Sequence, residues 1–590
     1  NFRRSSNDEN SWDNNSITTY VLLKPNASLV SVQIKLKALK QKYNDDAKKN
    51  DWQLFLYPIT RWRLYSDFQN GYETGRGRIT FVKLFGTIAA FILLIACINF
   101  MNLSTARSES RAKEVGIRKV VGAQKASLIS QFIGESILLA FIAGIIAIII
   151  VQNSLPSFNR LTDKNLFIPY FSPYFRLCAS GFVVFTGLLA GSYPAFFLSS
   201  FQPVKVLKGT FKKINALITP RKVLVVLQFT FAIVLIICTI IIKQQIEYAQ
   251  DRQVGYNKNN LIYSYFSDDI RKNYLLLKND LLRSGVATSI TATSAPLTVD
   301  WDNSWSPEWD GKDPEDKTGF SLFTEDGGLG RTAGLTFVEG RDIDAEKYPS
   351  DSLGIILNES ALKVIKFKNP IGQIIKSNNR QWHIVGVIKD FILTSPYEPI
   401  KPMLIFGPKS WFNVVQIKLN DKNNIEQNLK ATASIFKKYD PIYLFKNNFV
   451  DQEYAAKFED EERIGTLASL FAGLTVFISC LGLFGLATYM AVTRIKEIGV
   501  RKVLGASVPN ITALLLKDFV KLVFISIVIA SPIAWFAMHK WLESYSYRIN
   551  ISVFAFIASG LLAILIALIT VSFQSIKAAI ANPVKSLRTE

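Results

Sequence analysis

Seven stretches of this sequence, at 84–103, 128–151, 177–201, 223–242, 464–493, 522–538 and 551–576, are apolar over lengths that match a bilayer, and most carry no charge. A helix crosses the hydrocarbon layer in about 20 residues. An open strand or loop cannot satisfy its own polar backbone there, whereas a helix can. The runs therefore predict a polytopic α-helical membrane protein rather than a soluble enzyme. Two acids break the pattern, Glu135 and Asp518, at matching positions near the entry of the second and sixth runs. Pairing with a neighbouring base, or snorkelling, is the expected role; proton or substrate handling is the alternative.

The formal net charge is +21. So basic a chain invites a nucleic-acid reading, and placement decides the matter. Alternating the spans puts 104–127, 202–222, 494–521 and 577–590 on one side. The first of these holds Arg107, Arg111, Lys113, Arg118 and Lys119; the second holds Lys205, Lys208, Lys212, Lys213, Arg221 and Lys222 with no acid. The short loops opposite, 152–176 and 539–550, are sparse in bases. Such asymmetry orients helices with the basic side in the cytoplasm. The charge is explained by topology, and no nucleic-acid partner is expected. The C-terminus is then cytoplasmic, while 1–78 and 243–463 lie outside. With seven spans, an anchor helix upstream of Asn1 is also expected. Cys97, Cys178, Cys238 and Cys480 all fall in apolar runs without a CxxC pair and read as small core residues. His383 and His539 are the only histidines, so a histidine-based catalytic centre is not expected.

Sliding the chain so that Arg111 falls on Arg494 superposes RAKEVGIRKVVGA on RIKEIGVRKVLGA, with nine of thirteen positions identical. QPVKVLKG (202–209) follows the third run as NPVKSLRTE (582–590) follows the seventh. YVLLK…IKLKALKQKY (20–43) matches VVQIKL…LKATASIFKKY (414–439) in pattern. Internal repetition on this scale marks a duplicated unit. The expected division is a C-terminal remnant of a first external domain (1–78), a first membrane unit (79–209), a linker and the helix opening the second half (210–242), a second external domain (243–463) and a second membrane unit (464–590). The second external domain mixes strand-like GIILNES, WHIVGVIKDF and VVQIKL with a helical period at 425–439, an α+β pattern. DQEYAAKFEDEERIG (451–465) has no Pro or interior Gly and predicts one unbroken helix into the fifth span, a stiff lever.

On a helix, Arg494, Glu497 and Arg501 share a face beside an apolar strip of Val500, Val503 and Leu504. Arg111, Glu114 and Arg118 with Ile117, Val120 and Val121 repeat it, and Gly122 or Gly505 can end each helix. Two such helices, related by a pseudo-twofold, suit a symmetric partner. Anionic lipid headgroups are the alternative, but lipid attraction alone requires neither a retained Glu nor this spacing.

The repeated segment, ISCLGLFGLATYMA (478–491) and ANPVKSLRTE (581–590) resemble ABC transporter permeases of the MacB/FtsX (type VII) group, in an eight-span form with two external domains. TFVEGRDI (336–343), NPIGQII (369–375) and VGVIKDF (385–391) are similar to its MacB-type periplasmic core domain. The likeness covers essentially the whole chain. It implies a multi-pass protein of the bacterial inner membrane with periplasmic domains and two FtsX-like repeats. It also implies a homodimer or pseudo-dimer, a separate ABC ATPase subunit that holds the ATP, and a periplasmic adaptor. Force from that ATPase would pass to the periplasm by mechanotransmission and extrude a peptide, antibiotic or lipoprotein-like cargo. The coupling residues it implies are Arg111, Lys113, Glu114, Gly116, Arg118, Lys119 and Gly122, and Arg494, Lys496, Glu497, Gly499, Arg501, Lys502 and Gly505. MacB itself has four spans and a fused ATPase, so a macrolide substrate does not carry over. The rival is a transmitter that regulates an envelope enzyme and transports nothing. No GxxxxGK[ST] phosphate loop occurs in the chain, and no directly bound cofactor is expected.

Lesser features have bland expectations. Asn99 and Asn102 are expected to hydrogen-bond between helices, and Gly482, Gly485 and Ala487 to permit close packing. Pro194 and Pro532 are candidate kinks. GGLG (327–330) reads as a turn. The three tryptophans of WDNSWSPEWD (301–310) read as a structural cluster, with glycan or peptide binding as the alternative.

Overall fold

The computed structural model describes residues 12, 19–49, 51–69, 71–74, 77–199, 220–304, 307–316 and 318–580. The chain forms two compact units, Asn1–Leu93 and Leu94–Glu590. The first holds short helices at Leu29–Leu36, Leu39–Tyr43, Asp45–Lys49 and Ile59–Tyr65, and a hairpin pairing Phe68–Gln69 with Tyr72–Glu73. Within it the Arg61 guanidinium meets Glu73 at 2.7 Å, tying the last short helix to the hairpin.

Among the described residues, six helices are long and apolar enough to cross a membrane: Ile79–Ser104, Lys125–Thr162, Pro173–Phe196, Lys222–Gln250, Glu459–Thr488 and Val553–Lys577. The expected run at 522–538 is helical, within Val508–Leu542, but is not among the six. Lys517, Asp518 and Lys521 stand at one end of that run and His539 and Lys540 at the other, and the helix packs in the same bundle as its apolar neighbours.

The second half is a bundle built around the Pro220–Gln250 helix. Val225, Phe229, Ile233, Ile237 and Ile241 recur every four residues along it, and all are buried. Against that stripe stand Leu483 and Ala487 from Glu459–Thr493, Ala530 and Ala534 from Val508–Leu542, and Ala563 and Ala567 from Val553–Ile580. Small residues at such positions let helix backbones approach, which lipid-embedded packing favours. The Lys222–Gln250 window is 56% buried, whereas that of Lys125–Thr162 is 6% buried. The latter packs chiefly on Pro173–Ser199 and turns the rest of its apolar surface outward. On the Pro173–Ser199 helix Cys178 is exposed, contrary to its reading as a core residue.

Between the bundle helices lies an α+β region. Its four-stranded antiparallel sheet runs Asn448–Phe449, Leu261–Tyr265, Val414–Leu419, Ala287–Thr293. In chain order that is 4-1-3-2, the arrangement of a split βαβ unit. Ile417 is registered against Ile262 on one side and Ile290 on the other, and the helices Tyr274–Arg283 and Ile425–Tyr439 bury Leu281 and Phe436 over them. An eight-stranded mixed sheet is inserted between the second and third strands. Its parallel pairs join Gly354–Asn358 to Arg380–Ile388 and Phe320–Thr324 to Met403–Phe406. GGLG is a turn in its first half only: Gly327 and Gly328 sit at φ 110° and 82°, while Leu329 and Gly330 open the short helix Leu329–Ala333. Trp309 is buried against Phe320, Trp301 stacks on Tyr265 at the surface, and Trp305 lies outside the described residues.

The expected lever is broken. Val450–Ala456 is one helix and Glu459–Thr493 the next, with Lys457 and Phe458 turning between them. Phe458 is drawn into an aromatic cluster with Tyr397 and Tyr454, and Lys457 is held by carbonyls of two loops. Tertiary capture overrides local helix propensity here.

Candidate functional site

Both copies of the repeated segment are helical and end in the same way. In the first half the segment is the last part of the continuous Ile79–Val120 helix; in the second it is a separate helix, Ile495–Val503, set off by a turn at Arg494. At the first end, Ala123 N–H donates to Arg118 O at 2.9 Å and Gly122 N–H to Lys119 O at 3.1 Å. At the second, Ala506 N–H donates to Arg501 O at 2.9 Å and Gly505 N–H to Lys502 O at 3.1 Å. These are matching Schellman closures. Gly122 (φ 100°) and Gly505 (φ 88°) have open space where a Cβ would go, so glycine is required by backbone sign and not by room.

The side chains divide into an inner and an outer set. Val115 and Ile498, equivalent in the repeat, are 3% and 6% exposed. Ile498 packs on Ile511, Leu515 and Ala579. Outward, Ile117, Val120 and Val121 face solvent in one half, and Val500, Val503 and Leu504 in the other; Val121 is 82% and Leu504 80% exposed. Two equivalent helices therefore each present a bare apolar strip.

The charged residues are placed less uniformly than expected. Arg501 pairs with Glu497 at 2.9 Å on the open face, but Arg494 turns to Asp518 of the next helix at 3.2 Å. That contact is the expected role for Asp518. Arg118 donates to Gln131 Oε1 at 3.0 Å. Lys119 donates to Ser199 O at 2.6 Å, and Lys502 to Ala579 O at 2.9 Å and Ile580 O at 3.2 Å. Gly499 is buried. Arg111, Lys113, Glu114, Gly116 and Lys496 stand on helical backbone with side-chain surroundings outside the described residues, as are 202–209 and 582–590 entirely.

A second centre was not read from the sequence. At the stalk break, the Lys457 ammonium donates to Thr298 O and Leu393 O, both at 2.7 Å, and to Thr394 O. Burial pushes its pKa down to about 8, with Glu453 opposing. Glu453 accepts from the Tyr263 hydroxyl and from Thr298 Oγ1. Arg252 donates to Pro396 O and lies 3.5 Å over the Tyr547 ring, while Tyr397 meets Tyr545 at 5.2 Å. The loop at 391–400 is thus gripped by the stalk, by the end of the Pro220–Gln250 helix and by the 543–552 loop.

Within the bundle, Asn99 Nδ2 donates to Ile478 O at 2.6 Å, the interhelical bond expected of it. Gly482 lies against Asn99 Oδ1 and Gln228 Nε2, and Gly485 against Leu103, so both glycines permit close packing. Asn99 Oδ1, Asn102 Nδ2, Gln228 Nε2 and Ser479 Oγ are buried without a hydrogen-bond partner.

The family model described as FtsX-like permease C-terminal matches residues 86–203 and 469–583. The macrolide export ATP-binding/permease protein MacB of Bdellovibrio bacteriovorus is 31% identical over 130 residues, 22% of this chain and 19% of that protein. The pyoverdine export ATP-binding/permease protein PvdT of Pseudomonas entomophila is 31% identical over 124 residues, 21% of this chain and 18% of that protein. The chain therefore spans about a fifth of the length of these relatives. The crystal structure of the periplasmic region of MacB from Actinobacillus actinomycetemcomitans covers 35% of this chain and 96% of its own, at 17% identity and a TM-score of 0.26.

Proposed function

From a chain whose two halves each carry an FtsX-like permease region, we propose the membrane-spanning subunit of an ABC-type export system of the inner membrane. A separate ATPase docks on the segments 111–123 and 494–506, and its closure moves the helices and the external domain, which expels a peptide, antibiotic or lipoprotein-like cargo. A homodimer or pseudo-dimer and a periplasmic adaptor complete this reading, with the C-terminus cytoplasmic.

One observation carries it. Two helices at equivalent places in the repeat each hold a buried anchor, Val115 or Ile498, a glycine closure, and an outward apolar strip that the chain itself leaves bare. Lipid alone would ask for a basic amphipathic helix; it would not ask for the same closure and strip twice. A two-lobed protein partner would. Export is the activity in the names of both relatives, which supports the direction of transport.

The test is capture of an ATPase by the full-length chain in lipid nanodiscs, with Val121→Asp and Leu504→Asp combined. Wild type should retain a phosphate-loop ATPase and raise its turnover, and the double variant should lose both. Undiminished capture and turnover in a correctly folded double variant would refute docking at these strips.

A further inference from the structure

The two lysines expected among the docking residues do something else. Lys119 and Lys502 hold the same position in the repeat, next to the arginine that opens each Schellman closure. Lys119 Nζ reaches the final carbonyl of the Pro173–Ser199 helix, Ser199 O, at 2.6 Å. Lys502 Nζ reaches the last two carbonyls of the Val553–Ile580 helix, Ala579 O at 2.9 Å and Ile580 O at 3.2 Å. In each half, then, the interfacial segment grips the C-terminal end of that half's last helix, 80 residues onward in one case and 77 or 78 in the other.

The chemistry suits a clamp. An ammonium reaching a backbone carbonyl of another helix ties the two helices together through a charge-assisted bond. A hydrogen bond from a charged donor is stronger than a neutral one, and Ala579, whose carbonyl Lys502 reaches, is buried in a cluster with Ile498. The same contact built independently in two halves, on a side chain the sequence repeats, is not an accident of one local packing.

We propose that Lys119 and Lys502 are positioning residues that fasten each interfacial helix to the last membrane helix of its own half, so that a push on the exposed strip moves that helix rather than bending the closure. The proposal rests on the docking reading for the origin of the push, but the fastening itself does not. The apolar strip receives the partner; the lysine set between its residues in the sequence delivers the displacement.

The experiment has two arms on the full chain in nanodiscs. Hydrogen–deuterium exchange comes first and needs no partner. Lys119→Met should speed exchange in the last turn of Pro173–Ser199 by roughly ten-fold, the loss expected of one charge-assisted bond, and leave Val553–Ile580 unchanged. Lys502→Met should do the reverse, and Lys119→Arg and Lys502→Arg should restore protection. Unchanged exchange in the lysine's own half, or an equal rise in both halves, would overturn the clamp. The second arm adds the captured ATPase. Compared at the same amount of bound ATPase, both Met variants should lose the ATP-driven change in exchange at the two helix ends. Retained ATP-driven change would overturn the transmission step. If the wild-type chain captures no ATPase, the functional reading fails while the first arm still decides the clamp.

Discussion

A buried carboxyl pair shows how much a single side chain can carry. Glu325 is fully buried beside Asp342, and burial first, then the neighbouring charge, raises its pKa well above the ordinary carboxylate range; burial raises that of Asp342 too. Leu329 N–H donates to Glu325 Oε2 at 2.8 Å, and Ile343 N–H to Asp342 Oδ1 at 3.1 Å. Among the described residues Glu325 Oε1 has no hydrogen-bond partner of its own, and a proton held between the two carboxyls would supply one. A folded-state pKa raised above the unfolded value gives stability that is complete below the unfolded pKa and is lost as pH rises through the folded one. The protection factor of the Leu329 amide should therefore fall as pH climbs from about 4.3, the free Glu value. Glu325→Gln keeps an acceptor for Leu329 but cannot ionise, and should flatten that slope; an unaltered slope would refute the shared proton. Gly482→Ala makes a different point at the same scale. A Cβ there would overlap Asn99 Oδ1, so the change should cost about 1–3 kcal/mol through overpacking, read as a lowered melting temperature in detergent. The glycine itself was legible in the sequence, whereas the amide it faces was not, because the two lie on different helices far apart in the chain.

At the scale of elements, local pattern was a good guide wherever the chain's own chemistry decides the outcome. VVQIKL became the strand Val414–Leu419, the 3.6-residue period at 425–439 became the helix Ile425–Tyr439, and the glycines of the repeat became its helix ends. The stalk break was illegible for the opposite reason. Nothing between Asp451 and Gly465 disfavours helix; the turn at Lys457 and Phe458 exists because three carbonyls and an aromatic cluster from elsewhere in the fold hold it. The joint is therefore set by tertiary contacts and not by the local sequence. Lys457→Met removes the ammonium and leaves buried carbonyls unpaired, each at about 1–3 kcal/mol. Protease cleavage in the 391–400 loop should rise in this variant, with Lys457→Arg intermediate. Equal cleavage in all three forms would show that Phe458 and its aromatic neighbours suffice to hold the joint.

For the molecule as a whole, duplication was the most legible fact and its asymmetry the least. The two interfacial segments agree in nine of thirteen residues, yet one continues a helix that begins at Ile79 and the other stands alone after a turn. The pattern of bases argues that both nevertheless lie on one side of the membrane, since short basic segments are held on the cytoplasmic face. That requirement is strict: a single ATPase cannot touch both strips unless they share a side. Consider a chain with its four native cysteines changed to alanine and single cysteines placed at Val121, Leu504 or Ile442, all exposed positions, the last in the α+β region. In intact spheroplasts a membrane-impermeant thiol reagent should label position 442 and spare 121 and 504. In inverted vesicles the pattern should reverse. Labelling of 121 and 504 from opposite sides would separate the two strips, and no common engine could then drive them.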